Sequence, residues 1–260
     1  MKLLILTQNE NLYLPNAFAK VCQEKMGNVC CIVIAPAMST HGGRIKGFLR
    51  HWSLFGTMTT LSMGCRVIAG KIKAKFNRPG PDGPFWSIEN VAEAFSIPCY
   101  HVAKVSGQEF HKIIDEYNPD LLISISCPQI IGRKVRSRFP EGAINVHGAP
   151  LPKYRGLMPA FWALKNNETS TATTVHDLAD KLDNGDILVQ HSVDVDAQDT
   201  WDSLVRKTKA AGADALVEAI NQIEAGTVER KPNLDKDATY FSFPTSQDRR
   251  EFRQAGRRFL

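Results

Sequence analysis

Continuous apolar runs of strand length punctuate the chain. "KLLILT" (2–7) and "NVCCIVIA" (28–35) flank a helical pattern over residues 12–26, which reads as a βαβ opening. No GxGxxG joins the first strand to its helix, so the dinucleotide fingerprint is absent. The alternation resumes with a short helix over 87–95 and a short strand near Tyr100. Ser106 and Glu109 have the spacing of a capping box, opening a helix to about Tyr117. "LLISIS" (121–126) and "AINVH" (143–147) follow as buried strands, "MPAFWALKNN" as a helix, and "TATTVH" and "DILVQHSV" as further strands. A long helical pattern covers 200–225, with Asp199 or Thr200 as N-cap and Gly226 placed to end it. The pattern predicts an α/β fold, a doubly wound and mostly parallel sheet.

Two stretches stand outside it. Residues 36–85 predict one or two amphipathic helices and then the turn-rich "NRPGPDGP". Ile45, Phe48, Leu49 and Trp52 follow i, i+3, i+4, i+7 spacing, and the plain expectation is that this stripe packs on the body. The last 34 residues are polar and basic, with "DRREFRQAGRRF" a short helix. The expected division is a catalytic domain over 1–226, carrying the basic insertion 36–85, and an appendage over 227–260.

Composition is that of a globular protein, 43% hydrophobic and 23% charged, and no stretch approaches a spanning helix. With no signal peptide at the start of the sequence, a cytoplasmic location is expected. Six cysteines without a CxxC pair read as buried thiols rather than a disulfide frame or zinc site. The net charge of +5 is unevenly spread: residues 36–81 hold eight Lys/Arg and no Asp or Glu. That segment is open to three readings: a scaffold helix with a solvated basic rim, a basic cover over an anionic acceptor, or, least favoured, a surface lying on an anionic membrane.

The candidate chemistry lies in "INVHGAPLPKYRG" (144–156). Residues two apart on a strand share a face, so Asn145 and His147 point the same way, with α-carbons about 6.6 Å apart. They stand at the carboxyl end of a strand, where open α/β sheets bind ligands. The Pro-rich loop that follows shapes the mouth of a site. Farther on, Asp183 precedes Asn-Gly, a tight turn that can aim its carboxylate back at His147. An amide donor, an acid/base and an orienting charge suit acyl-group transfer.

The Asn-x-His strand end, the "PLPKYRG" loop and the Asp of "LDNGDIL", 38 positions beyond Asn145, resemble the folate-dependent formyltransferase family. That family includes glycinamide ribonucleotide, methionyl-tRNA and amino-sugar formyltransferases. The likeness covers roughly residues 85–200. It departs where the family's Ser-Leu-Leu-Pro is replaced by Ala149-Pro150-Leu151-Pro152, which removes the Ser hydroxyl.

The resemblance implies a Rossmann-like formyltransferase fold, 10-formyltetrahydrofolate as donor, a primary amine as acceptor, and no metal. It implies Asn145, His147 and Asp183 as catalytic. It sets the pterin against 123–131, with Cys127, Pro128, Gln129 and Ile130, and against 176–184, with Asp180. Lys153, Tyr154 and Arg155 stand where the acceptor would be met, with a solvated basic turn an equal reading for Lys153. His176, at the end of the "TATTVH" strand, reads evenly as a structural or a substrate-lining histidine and is counted with them. His41, His51, His101, His111 and His191 carry no partner pattern and are given surface or core roles. A small-molecule amine, a nucleotide-linked amino sugar first, is the expected acceptor. Transfer RNA is disfavoured, because too few residues follow the long helix for a separate RNA-holding barrel. Homodimerisation is compatible with this reading. A formyltetrahydrofolate hydrolase of the same fold is the main competitor, and an idle binding protein using the basic insertion is the other. The hydrolase is less expected because such proteins carry a regulatory domain ahead of the first strand.

Overall fold

The computed structural model describes residues 1–36 and 43–260, the side chains of residues 43–46 excepted. His41 and the side chains of Arg44, Ile45 and Lys46 therefore lie outside the described residues. In chain order the first half comprises β1 (Leu3–Thr7), α1 (Leu14–Glu24), β2 (Val29–Ile34), α2 (Gly43–Phe55), α3 (Thr57–Phe76), α4 (Ile88–Ala94), β3 (Cys99–His101), α5 (Gln108–Tyr117) and β4 (Leu121–Ile125). The second half comprises α6 (Arg133–Arg136), β5 (Ala143–His147), β6 (Arg155–Gly156), α7 (Pro159–Lys165), β7 (Ser170–Asp177), β8 (Ile187–Asp194), α8 (Trp201–Glu224), β9 (Tyr240–Phe241) and α9 (Ser246–Gln254).

Seven strands form one sheet in the order β3-β2-β1-β4-β5-β7-β8. Pairings from β3 through β5 are parallel, and β5–β7 and β7–β8 are antiparallel. Strands β1, β2 and β4 read as near-continuous apolar runs because both faces are covered. Leu3 and Ile5 of β1 face one core with Leu14, Phe18, Ile88 and Leu216. Leu4 and Leu6 face the opposite core with Phe110, Ile114 and Val135. Each such fully buried aliphatic side chain contributes about 1.5–3 kcal/mol. This is the doubly wound, mostly parallel architecture that the alternation predicts.

A third core stands beside the sheet. Phe161 of α7, Phe252 of α9 and Phe259 stack on one another at 4.8–6.2 Å, and Trp201 and Phe55 join them. The C-terminal segment is thus tied in by buried aromatics. It also adds β9 to β6, pairing Tyr240 with Arg155 and Phe241 with Gly156. Gly156 is needed there: its φ is +102°, and a Cβ would stand 2.2 Å from the Phe241 carbonyl oxygen.

Two local expectations are corrected. α5 starts at Gln108 with Gly107 as N-cap and no side-chain cap, so Ser106 falls one residue too early to form a box with Glu109. In α2 the expected stripe is not the packed one. Phe48 and Leu49 are exposed, whereas Leu54 and Phe55 are buried. The helix breaks at Gly56, where φ is +76°, and this turns its last residues rather than its middle into the aromatic core. At α8, Thr200 caps and Ser203 completes the reciprocal box, with Gly226 at positive φ just beyond the end.

Candidate active site

The carboxyl end of β5 carries a polar row that register explains. Asn145 lies opposite Ser124 of β4 and opposite His176 of β7, and His147 lies opposite Thr174. Ile144 and Val146 point to the apolar core on the other face. Strand alternation alone therefore collects Ser124, Asn145, His147, Thr174 and His176 on one face.

The rings are held in defined orientations. His176 is fully buried, and its Nδ1 lies 2.8 Å from the Asp177 carbonyl, an acceptor, so Nδ1 carries the proton. Its Nε2 then accepts from the Asn145 amide at 3.2 Å. Burial pushes the His176 imidazole down to about 4, against the pull of the Asp183 carboxylate, with nearby His147 lowering it further. His176 is neutral near pH 7 and fixes which way the Asn145 amide points. One N–H of that amide remains for a ligand.

His147 is anchored through Nε2, which donates to the Tyr154 carbonyl at 2.8 Å. Its Nδ1 faces Asp183 Oδ2 at 3.6 Å, and Asp183 Oδ1 stands 3.8 Å from His176 Nε2. The carboxylate thus sits between two imidazoles, close enough to couple electrostatically but too far for direct hydrogen bonds. The ring of His147 is held by a backbone carbonyl rather than by Asp183. Asp183 is itself pinned: Oδ2 accepts from the Gly156 N–H at 2.9 Å, and φ is +49°, a conformation Asp tolerates. The turn closes tightly, since a Cβ on Gly185 would lie 1.8 Å from the Asp177 carbonyl oxygen.

The remaining candidates distribute around this centre. Lys153 is exposed. The Tyr154 side chain is buried, stacks on Phe241 at 5.1 Å and donates to Glu168 at 2.6 Å, so it is a core group whose backbone serves the site. Burial and that hydrogen bond push its phenol up to about 12. Arg155 is buried too, its guanidinium clamped by Asp235 at 2.7 Å and Asn233 at 2.7 Å. Both side chains are spent on the framework, not presented to an acceptor.

At the end of β4, Gln129 is likewise engaged, accepting from the Val105 N–H and donating to the Pro36 and Ala103 carbonyls. Pro128 is half-buried beside it. Burial pushes the Cys127 thiol up to about 11, which rules it out as a ready nucleophile. Ile130 is 88% exposed, and Leu182 on the loop after β7 is 55% exposed. Asp180 on that loop pairs with Arg136 of α6, tying the loop to the helix that follows residues 127–130. Among the described residues no group of three His, Cys, Asp or Glu is arranged to hold a metal.

Three features escape a local reading of the sequence. Asn233 donates to the Asp183 and Gly185 carbonyls, both at 2.9 Å, and so holds the Asp183 turn from 50 residues away. Lys209 of α8 reaches Ser126 Oγ at 2.7 Å at the sheet's carboxyl edge, and burial pushes its ammonium down. Glu10 accepts from the N–H groups of Leu12, Tyr13 and Leu14. The start of α1, where α/β folds commonly seat a phosphate, is satisfied by the chain's own carboxylate.

This sheet, with an Asn-x-His pair at one strand end and an Asp turned back toward it, defines a formyltransferase-like fold. The sequence profile of the formyl transferase family matches residues 84–220, and the chain belongs to that family. Methionyl-tRNA formyltransferase of Anaeromyxobacter sp. (strain K) is 34% identical over 137 residues, 53% of this chain and 44% of that protein. The chain thus matches less than half the length of this relative. Phosphoribosylglycinamide formyltransferase from Anaplasma phagocytophilum is similar in fold, with a TM-score of 0.62 at 16% identity, over 94% of this chain and 99% of that one. An N-formyltransferase from Helicobacter canadensis, crystallised with folinic acid and dTDP-3-aminofucose, has a TM-score of 0.58 at 18% identity, over 93% and 71% of the two chains.

Proposed function

We propose that the protein transfers a formyl group from 10-formyltetrahydrofolate to the primary amine of a small acceptor, with a nucleotide-linked amino sugar as the first choice. The observation that carries this reading is the convergence of Asn145, His147 and Asp183 at one strand end. The acceptor class draws support from the amino-sugar complex of a protein alike in fold. Residues 127–130 and the loop bearing Asp180 and Leu182 would receive the folate. Their exposed apolar groups, Ile130 and Leu182, fit a flat heterocycle, while Gln129 and the Asp180–Arg136 pair hold the two loops.

In the reaction the amine nitrogen bonds to the formyl carbon, and the bond from that carbon to the folate nitrogen breaks. The amine gives up a proton and the departing nitrogen gains one. Charge gathers on the formyl oxygen, where the free Asn145 N–H donates, a contact worth about 3–4 kcal/mol in the transition state. His147 presents Nδ1 to the reacting groups because Nε2 is committed to Tyr154. It relays the proton, while Asp183 stabilises positive charge on the ring and on the attacking amine.

The test is a panel of amines assayed with 10-formyltetrahydrofolate, reading folate deformylation and product mass together. A formylated amine supports the proposal. Formate release without a product amide would favour the hydrolase, and no deformylation with any amine would overturn the reading.

A further inference from the structure

The least absorbed part of the chain is the basic insertion, and its outer face is apolar. α3 meets the body through buried Thr59 and Gly70, through Arg66 paired with Asp202 at 2.8 Å, and through the Ala74 carbonyl bonded to Asn90. At 100° per residue, the opposite face carries Met58, Leu61, Cys65, Ile68, Ile72 and Phe76. All six are exposed, Met58 by 81% and Phe76 by 75%. Phe48 and Leu49 of the preceding α2 are exposed as well. Lys71 and Lys75 border the stripe on one side and reach solvent. This is no scatter of single surface hydrophobes but one continuous row about 27 Å long, from the helical rise over residues 58–76.

We propose that this face seats the protein on an anionic membrane surface. Two occupants fit the 3-4 spacing of the stripe, a second copy and a lipid interface, and charge separates them. Pairing with a second copy would set Lys71 and Lys75 against the same segment, residues 36–81, which holds eight cations and no carboxylate of its own, with only Arg66 and Arg78 of the described side chains there paired to acids of the body, Asp202 and Glu93. Anionic headgroups complement that charge while the acyl boundary takes the apolar row. The helix lies in the interface rather than crossing it, since no described helix is long and apolar enough to span. The inference is independent of the acceptor's identity.

Sedimentation of the full chain with vesicles tests it. Binding to mixed phosphatidylcholine–phosphatidylglycerol vesicles should exceed binding to phosphatidylcholine alone by about tenfold or more and should weaken with salt. Ile68→Glu with Ile72→Glu should reduce that binding at least about tenfold with the melting temperature unchanged, since both side chains are exposed. Lys71→Gln with Lys75→Gln should remove part of the anionic preference only. The proposal is overturned if the chain shows no preference for anionic vesicles, or if the double Glu variant binds as before. It is equally overturned if the face instead forms a dimer in solution that the double Glu variant dissociates.

Discussion

His147 and His176 are neighbours across one carboxylate, yet their surroundings give them different work. His176 is sealed and neutral, an orienter of Asn145, while His147 turns Nδ1 toward Asp183, the nitrogen that the proposed mechanism uses. Replacing Asn145 by Ala, His147 by Ala or Asp183 by Asn should each slow formyl transfer by about 100-fold or more. Asp183→Asn is the cleanest of the three, because an amide oxygen still accepts from Gly156 and Asn tolerates the same backbone conformation. Folded variants with near-normal turnover would remove these residues from the mechanism. His176 makes a separate prediction about stability. Its imidazole titrates near 4 when folded and near 6.5 when unfolded, so between those values only the unfolded chain takes up the proton. Stability contributed by the neutral ring is therefore complete above pH 6.5 and is lost as pH falls toward 4, by up to about 3 kcal/mol. Melting temperatures measured across that window should fall less steeply for His176→Gln than for the native chain, and parallel slopes would refute the assignment.

At the scale of elements, the site depends on a clasp that joins distant segments. Asn233 binds the Asp183 and Gly185 carbonyls and accepts from Arg155, which is itself paired with Asp235. Asn233→Ala should free the Asp183 turn and orphan two buried carbonyls, at about 1–3 kcal/mol for each unsatisfied group. We expect a lower melting temperature together with a kcat reduced by about tenfold and an acceptor KM little changed, as befits a residue that positions another. A rise in acceptor KM alone would instead mark Asn233 as a contact residue. The clasp also shows what a single sequence could and could not reveal. Strands β1, β2 and β4 were legible because sheets covered on both faces demand near-continuous apolar runs, and the Asn145–His147 pair of β5 was legible from two-residue periodicity. Tyr154 and Arg155 read as acceptor contacts because a basic turn beside a site looks the same whether it meets a ligand or a partner 80 residues away. The α2 stripe misled for a related reason. Helical periodicity identifies an apolar face but not which side of it the body occupies, and Gly56 settled that by turning Phe55 into the aromatic core.

For the whole molecule, the donor site proposed here lies between loops that belong to different parts of the sheet. Residues 127–130 leave the parallel strand β4, whereas Asp180 and Leu182 stand between the antiparallel strands β7 and β8. The β7–β8 loop is tied to α6, the helix that follows residues 127–130, by the Arg136–Asp180 pair, whose carboxylate is exposed, and an ion pair open to solvent on one side contributes about 1 kcal/mol or less. A ligand bridging both loops would tie the two parts of the sheet together and would bind only the folded chain. At a concentration one hundred times its Kd, a folate analogue should stabilise the protein by about 2.7 kcal/mol. For a chain of this size that corresponds to a rise in Tm of about 5–10 °C. Ile130→Glu supplies the control, because that side chain is 88% exposed and its replacement leaves the cores untouched. The unliganded variant should melt with the native protein, while its folate-induced shift should shrink to a small fraction, since a carboxylate would have to be desolvated against the ring. A full shift in the variant would place the folate elsewhere, and the absence of any shift in the native chain would remove folate from the proposal.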